Sequence, residues 1–213
     1  MADATVILDL HNHSVKSDDA RARVDNYCRW IRSRELRLDG FVLTEHRQFD
    51  ADSDYRSLED AFELRILKGA EVETDYGHVL LFGVTQDLVA RFDFARVDLP
   101  IERVLRDSER CGAVAVPCHP GRVRVGMFAH VKERGPVEGV RIVEVENGGS
   151  RGDEDARAKE FAATFGYAGI GGSDSHIVSH IGRCATRFPR EIRDEEDLAA
   201  ALRDGDFEAQ RWT

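Results

Sequence analysis

The chain has 213 residues, of which 42% are hydrophobic and 33% are charged, and its net charge is −10. This length suits one domain, or at most two small ones, and a chain of this size buries roughly 70% of its unfolded surface. The composition is that of a globular protein. The acidic balance and the lack of a basic block argue against a general nucleic-acid binder, which needs a basic face for the phosphates.

The start of the sequence, MADATVILDL, has no basic segment and only a short apolar run, unlike a signal peptide. No apolar stretch approaches the roughly 18 residues that span a bilayer. The four cysteines form no Cys-x-x-Cys pair, which is typical of reduced, mostly buried thiols in a cytoplasmic protein. We therefore predict a cytoplasmic chain with no membrane partner, and the sequence leaves its oligomeric state open. The cysteines are Cys28, Cys111, Cys118 and Cys184.

The pattern of apolar residues predicts alternating strands and helices. The first strand, at 5–10, is short, β-branched and apolar, and a helix follows at 23–36, where apolar residues recur at helical spacing. A second strand follows Gly40, at 41–46, and the composition of TDYG predicts a turn between two further strands. The remaining elements are predicted, in order, as strands at 65–73 and 78–84, a helix at 101–112, strands at 113–120 and 140–147, a helix at 153–166, a short strand that runs into a loop at 168–176, a strand at 182–188, and a helix at 194–205.

Most of these strands are apolar throughout, which predicts a largely parallel sheet covered by helices. About seven such units are too many for a small open sheet and suit an α/β barrel. We see no internal repeat or linker, so residues 1–213 are expected to form a single domain. Residues from about 185 to 213 would complete it with a strand and a helix.

Histidine or acidic residues lie next to nearly every predicted strand, almost always at its carboxyl end. Parallel α/β barrels place their sites at that end, where the loops converge. Side chains two residues apart on a strand point the same way, so His11 and His13 can hold one ion, with Glu71 and Asp174 closing the shell. Such ligands suit Zn²⁺, Mn²⁺ or Fe²⁺ better than Mg²⁺ or Ca²⁺. The full set is His11, His13, His46, Glu71, Glu73, His78, His119, Glu144, Asn147, Asp174 and His176.

Each of these motifs also has an ordinary structural interpretation when taken alone. A single His-x-His pair is often part of a surface or a turn, and Cys118–His119 precedes a proline, which favours extended backbone. The segment GSDSH is an ordinary polar loop by composition. Their joint occurrence at six or seven strand ends is what predicts a multinuclear metal site.

Six segments resemble the motifs of the polymerase and histidinol phosphatase (PHP) domain family, in the family's order and over residues 9–183. The resemblance implies a distorted (β/α)7 barrel with two or three divalent metal ions, of zinc, manganese or iron, that catalyse phosphoester hydrolysis. The stretch TDYGHVLLFG and the short chain are similar to the small stand-alone members. The six segments are DLHNHSVKSDD, LTEH, KGAEVETDYGHVLLFG, AVPCHPGR, VEVENG and GGSDSHIVSHIGR.

The resemblance also implies the metal ligands, with Glu71 bridging the first two of three positions. Two residues depart from the family pattern: Asp18 stands where some members have histidine, and Glu45 stands where aspartate is usual. The implied ligands are His11, His13, Glu71 and Asp174 for the first metal, His78 and His119 for the second, and Asp18, His46 and His176 for the third.

Three divalent ions with three carboxylate ligands would leave this site about +3, which suits a phosphate and a water activated as hydroxide. Arg122 and Arg183 follow ligand-bearing segments and are candidate phosphate clamps, because guanidinium binds phosphate in a bidentate way. Each could instead form a surface ion pair. His180 is a candidate for protonating the leaving group or contacting substrate, and is otherwise peripheral.

The predicted function is that of a metal-dependent phosphoric ester hydrolase acting on a small phosphorylated substrate, a phosphomonoester such as a nucleotide. One alternative is a 5′-to-3′ exonuclease or phosphodiesterase on short oligonucleotides, and another is a non-catalytic metal-binding regulatory domain. An amidohydrolase-like barrel needs a ligating lysine, and Lys68 is displaced from a strand end. The negative charge predicts that long nucleic acid is not a partner.

Overall fold

The computed structural model describes residues 5–212. The predicted strands and helices recur in it within a few residues, and α2, α3, α5 and β9 lie outside the ranges predicted above. The strands are β1 (Val6–Asn12), β2 (Gly40–His46), β3 (Arg65–Thr74), β4 (Gly77–Phe82), β5 (Val114–Pro117), β6 (Ile142–Asn147), β7 (Ala168–Gly172), β8 (Cys184–Phe188) and β9 (Glu208–Arg211). The helices are α1 (Val24–Ser33), α2 (Arg56–Phe62), α3 (Gln86–Val89), α4 (Ile101–Arg110), α5 (Met127–Arg134), α6 (Glu154–Phe165) and α7 (Glu195–Asp204), with a 3-10 turn at Val178–His180.

The strands form a curled seven-stranded sheet, in the order β5-β4-β3-β2-β1-β8-β9, and a separate pair, β6-β7. Among the named strands of residues 5–212, β1-β2, β2-β3 and β6-β7 pair in parallel, and β1-β8, β3-β4, β4-β5 and β8-β9 pair antiparallel. The α/β class is confirmed, whereas the complete (β/α)7 barrel is not confirmed and the expectation of a largely parallel sheet is wrong. The departure from parallel pairing starts between β3 and β4. Only Asp75 and Tyr76 join these two strands, and so short a connection permits only antiparallel pairing.

The strand β7 lies against β1 and β8, which brings the second sheet over the metal-ligand end of the first. The amide of His13 donates to the carbonyl of Ser175 at 2.8 Å, and the amide of Gly171 donates to Thr186 Oγ1 at 2.9 Å. At Gly172 a Cβ atom would overlap that of His11 and lie 2.8 Å from the His11 amide nitrogen. Glycine is therefore required where β7 crosses β1.

Helix α1 covers the outer face of β2 through Tyr27, Cys28 and Ile31, which are fully buried. The Tyr27 hydroxyl lies 2.8 Å from the carbonyl oxygens of both His13 and Ser175. The packing of this helix thereby fixes the two loops that leave β1 and β7. None of the helices within residues 5–212 is long and apolar enough to cross a bilayer.

Candidate metal centre

Parallel pairing of β1, β2 and β3 places their last residues side by side. His46 at the end of β2 is in register with Glu71 of β3, and His11 lies near the end of β1. Asp174 reaches the same point from the loop that follows β7, which packs on β1. The strand ends thus bring together side chains that are far apart in sequence.

The four residues expected at the first metal position do converge. One ligand atom from each of His11, His13, Glu71 and Asp174 lies within 4.8 Å of all the others, and all four side chains are buried. Glu71 Oε2 is 3.0 Å from His11 Nε2 and 3.1 Å from His13 Nε2. Asp174 Oδ1 is 3.5 Å and 3.6 Å from the same two nitrogens.

The donor atoms of this cluster suit a divalent cation better than a set of hydrogen bonds. The Nε2 atoms of His11 and His13 are 3.1 Å apart, and those of His46 and His176 are 3.3 Å apart. Two ring nitrogens can share one hydrogen bond only when one of them is protonated. His119 Nδ1 is buried and has no hydrogen-bond partner among residues 5–212. Imidazoles and carboxylates that converge in this way fit Zn²⁺, Mn²⁺ or Fe²⁺.

The residues expected at the second position meet the other oxygen of Glu71. Its Oε1 atom is 2.7 Å from His78 Nδ1 and 3.3 Å from His119 Nε2. The two carboxylate oxygens therefore face different histidine groups, as a bridging ligand requires. Cys118 joins this second group, with Sγ 3.4 Å from Oε1, although its position beside His119 was its only signal in the sequence.

At the third position the structure brings together two of the three expected residues, His46 and His176, beside His13. The carboxylate next to them belongs to Asp19, whose Oδ2 is 3.5 Å from His46 Nε2 and 3.3 Å from His176 Nε2. Asp18 is not brought to this position. Its exposed carboxylate instead binds Arg47 at 2.7 Å.

Replacing Asp19 with asparagine is expected to weaken binding at the third position by roughly 10- to 100-fold, the usual loss for groups that support a metal site. Asp18→Asn removes the same charge from the neighbouring residue and is the matched control. Metal content after dialysis against limiting Mn²⁺, measured by mass spectrometry, should fall by one equivalent only in Asp19→Asn. A loss confined to Asp18→Asn would restore Asp18 as the ligand.

Glu144 forms hydrogen bonds with two of the proposed ligands, His11 and His119, on the side away from the cluster. Its Oε1 lies 3.0 Å from His11 Nδ1, and its Oε2 accepts hydrogen bonds from the His119 amide and from Asn147 Nδ2, both at 2.8 Å. A proton on His11 Nδ1 leaves the Nε2 lone pair directed at the cluster. The sequence marked Glu144 and Asn147 only as polar residues at a strand end.

Asp9 holds the loop that carries Asp174. It is fully buried, and it accepts hydrogen bonds from the amides of Ser173 and Gly182 at 2.8 Å each. These two amides lie at the two ends of the β7–β8 loop. Sequence reasoning missed Asp9, because an aspartate inside an apolar strand does not reveal what it binds.

Burial lowers the pKa of His11, but the carboxylates of Glu144, Asp174 and Glu71 outweigh burial and hold that pKa well above its usual value. Burial likewise opposes protonation of His13, whose hydrogen bonds to Asp174 and Glu71 raise its pKa to about 9. The pKa values of Glu71 and Asp174 lie well below their usual range despite burial, because His11 favours the charged carboxylates. A metal ion therefore competes with protons for these imidazoles and releases them on binding.

The residues expected to contact phosphate lie around the cluster. The Arg122 guanidinium donates to Asp174 Oδ2 at 2.8 Å and to Asn147 Oδ1 at 3.1 Å, and 26% of the side chain is exposed. Arg183 is exposed and donates to the Gly148 carbonyl at 3.3 Å. His180 ends the 3-10 turn in the same loop and is half-buried. Their roles as clamps and proton donor stay predictions.

A family model described as PHP-associated matches residues 152–207. No curated protein matches the chain. A two-domain protein from Bacteroides vulgatus, containing a predicted PHP-like metal-dependent phosphoesterase, has a similar structure. It is 21% identical, with a TM-score of 0.65, over 98% of this chain and 65% of that one.

Two further similar structures are of endonuclease Q. The lesion-specific enzyme from Pyrococcus furiosus is 16% identical, with a TM-score of 0.69, over 97% of this chain and 58% of that one. The second is a complex of endonuclease Q with a 27-mer duplex substrate that has an abasic lesion at the active site. It is 14% identical, with a TM-score of 0.66, over 94% of this chain and 57% of that one. The chain thus spans less than two thirds of the length of each of these three proteins.

The predicted partners, a small phosphorylated substrate and no long nucleic acid, are wrong. Endonuclease Q has this fold and holds a 27-mer duplex as substrate. The error came from the net charge, which sums the whole surface, whereas a ligand responds to the field at the site it enters.

The match over residues 152–207 includes the loop that carries Asp174 and His176. It also includes α6 and α7, which pack on the two sheets. The six motifs extend the resemblance to residue 9, and the shared fold covers almost the entire chain. These observations agree with the resemblance to the PHP domain family that the motifs indicated.

Proposed function

We propose that the protein is a metal-dependent phosphoester hydrolase. The observation that carries this proposal is the position of Glu71, which is buried and has the ring nitrogens of five histidines within 3.3 Å of its two oxygens. Imidazoles outnumber carboxylates in the ligand groups, where Asp174 and Asp19 are the other acidic residues, so the site is rich in neutral donors. The five histidines are His11, His13, His46, His78 and His119.

The proposed ligands are those implied by the resemblance, except that Asp19 takes the place of Asp18 at the third position and Cys118 lies beside the second. Bound divalent ions supply Lewis acidity and lower the pKa of water at the reacting phosphate. The protein contributes rigid strand ends, a dry pocket and the hydrogen bonds of Glu144 and Asp9, which hold the ligands before substrate arrives.

Arg122 and Arg183 are the proposed contacts for the phosphate oxygens. Arg122 is anchored by Asp174, which also reaches the first ligand group, so its guanidinium is held at the edge of the cluster. Arg183 lies in the loop that carries Asp174 and has no carboxylate within 4.0 Å among residues 5–212. His180, three residues away, is the proposed proton donor to the leaving oxygen.

The test is hydrolysis by the Mn²⁺-reconstituted protein of a monoester, 5′-AMP, a diester, bis(p-nitrophenyl) phosphate, and a 5′-phosphorylated oligonucleotide. We expect turnover of at least one, with kcat/KM at least about 100-fold lower in His11→Ala, because removing a ligand exceeds the 10- to 100-fold loss for supporting residues. His130→Ala is the matched control, since His130 lies on α5 and belongs to none of the ligand groups within residues 5–212.

The products distinguish the possible reactions. Free phosphate from 5′-AMP identifies a monoesterase, whereas shortening of the oligonucleotide without that release identifies a phosphodiesterase. Bound metal with no turnover of any of the three substrates would contradict the proposal and leave the non-catalytic metal-binding domain.

A further inference from the structure

Four exposed arginines lie in the loops that follow the ligand-bearing strands, and we name them the arginine rim: Arg21, Arg124, Arg151 and Arg183. Each lies in a different loop at the ligand end of the strands. The loops are residues 13–23 after β1, 118–126 after β5, 148–153 after β6 and 173–183 after β7.

Backbone contacts tie the rim to the ligands. The Arg21 amide donates to the carbonyl of His176 at 2.8 Å, and Arg124 precedes Val125, whose carbonyl accepts from the His78 amide at 3.0 Å. Arg183 donates to the carbonyl of Gly148, three residues before Arg151. The rim is therefore positioned by the same loops that position the metal ligands.

The rim is unusual because its charges are not neutralised. Within residues 5–212, none of the four guanidiniums has a carboxylate within 4.0 Å, whereas most other exposed arginines form such pairs. Typical pairs are Arg56 with Asp54 and Arg96 with Asp98. Exposed cations without partners remain available to an external anion.

The four loops also differ in charge from the rest of the chain. They contain seven lysine and arginine residues and four aspartates, a balance of +3, in a chain of net charge −10. All four aspartates have cationic or imidazole neighbours: Asp18 contacts Arg47, Asp19 contacts His46 and His176, Asp153 contacts Arg157, and Asp174 contacts Arg122.

Apolar side chains accompany the rim. Val15, Val123 and Ile177 are large apolar residues of the same loops and are 58%, 65% and 42% exposed. Sugars and bases offer apolar surface between phosphates, so a mixed cationic and aliphatic rim fits a polymer of nucleotides better than a single inorganic anion. A single phosphate at the metal centre would engage one or two guanidiniums and leave the other loops without a partner.

We propose that the arginine rim binds the phosphate backbone of a nucleic-acid strand and delivers one of its phosphodiesters to the metal centre. This inference rests on the proposed phosphoester hydrolysis and narrows its substrate to a polynucleotide. Arg21, Arg124 and Arg151 would contact phosphates that flank the reacting one. Arg183 would contact the strand as part of the rim and also the oxygens of the reacting phosphate.

The test compares two variants that each lose two positive charges, Arg124→Gln/Arg151→Gln in the rim and Arg37→Gln/Arg110→Gln at the opposite end of the strands. Arg37 and Arg110 are exposed and also have no carboxylate within 4.0 Å among residues 5–212, which makes them matched controls. Fluorescence anisotropy with a labelled 20-nucleotide single strand, in several salt concentrations, measures binding by the metal-loaded protein. Turnover of the strand and of bis(p-nitrophenyl) phosphate is measured alongside.

We expect the rim variant to bind the strand roughly tenfold more weakly. The slope of the logarithm of its binding constant against the logarithm of the salt concentration should become shallower by about 1.4, because each of the two lost phosphate contacts on a single strand contributes about 0.7. Its ratio of strand turnover to small-diester turnover should fall by a similar factor, and the control should match the parent protein. Equal losses in both double variants, or none in either, would overturn the rim proposal.

Two further outcomes separate the rim from the proposed function. If bis(p-nitrophenyl) phosphate is hydrolysed while the strand neither binds nor reacts, the rim proposal fails and phosphoester hydrolysis stands. If the strand binds through the rim and no phosphoester is hydrolysed, the proposed function fails, and with it delivery of a phosphodiester. Binding to anionic vesicles but not to the strand would overturn the rim proposal in favour of a membrane surface.

Discussion

Glu71→Gln is expected to remove metal binding at the first two positions and to lower kcat/KM on any phosphoester substrate by more than about 100-fold. The change replaces one carboxylate oxygen with an amide nitrogen, which donates and cannot ligate. Both oxygens of Glu71 face imidazoles, Oε2 toward His11 and Oε1 toward His78, so no orientation of the amide preserves both sets of contacts. Calorimetric titration with Mn²⁺ and the hydrolysis assay measure the two effects.

Glu73→Gln provides the matched control for this prediction. Glu73 lies two residues further along the same strand, and its carboxylate binds Arg47 at 2.8 Å instead of joining the ligand groups. This variant should keep its metal and most of its activity. Full metal loading in Glu71→Gln would show that the bridging role assigned to Glu71 is incorrect.

Gly172→Ala is expected to damage both stability and metal binding. The added methyl group would overlap His11 Cβ and would lie 2.9 Å from Glu144 Oε1, so β7 and β1 must separate. Overpacking of this kind costs about 1–3 kcal/mol, which lowers Tm by roughly 2–12 °C in a chain of this size. Because His11 is the residue displaced, metal affinity should fall in parallel. Thermal unfolding with and without Mn²⁺ measures both effects.

Gly166→Ala separates the two effects of Gly172→Ala. Gly166 follows α6 with φ +71, and a Cβ there meets nothing within 4 Å. Its left-handed backbone conformation costs alanine about 1 kcal/mol, so Tm should fall slightly while metal affinity stays unchanged. An unaltered Tm and affinity in Gly172→Ala would mean that β7 does not approach β1 as closely as described.

The convergence of the side chains expected at the first metal position could be predicted because its signal is local and periodic. Residues two apart on one strand must face the same side, so the spacing of His11 and His13 was enough to pair them. Glu71 and Asp174 followed from a second rule, that strand ends meet at one edge of a sheet. The structure brings these four side chains together as expected.

Two features were harder to predict: the direction of each strand, and which of the adjacent residues Asp18 and Asp19 lies at the third metal position. Apolar runs show that a strand is buried but not which way it runs, so the antiparallel pairing of β4, β5, β8 and β9 was missed. The choice between Asp18 and Asp19 depends on Arg47, whose backbone has φ +55 and whose side chain binds Asp18. No pattern within one segment encodes such a contact between loops.

The hydrogen bonds of Asp9 have a consequence for folding kinetics. They join residues separated by 164 and 173 positions, so the loop with Asp174 is fixed only after both ends of the chain have met. Closing so long a loop carries an entropic cost that local contacts do not repay, and such contacts slow folding. An ion that needs ligands from both ends would bind the native state alone. It would therefore prolong the lifetime of the folded protein by slowing unfolding, and leave the rate of folding largely unchanged.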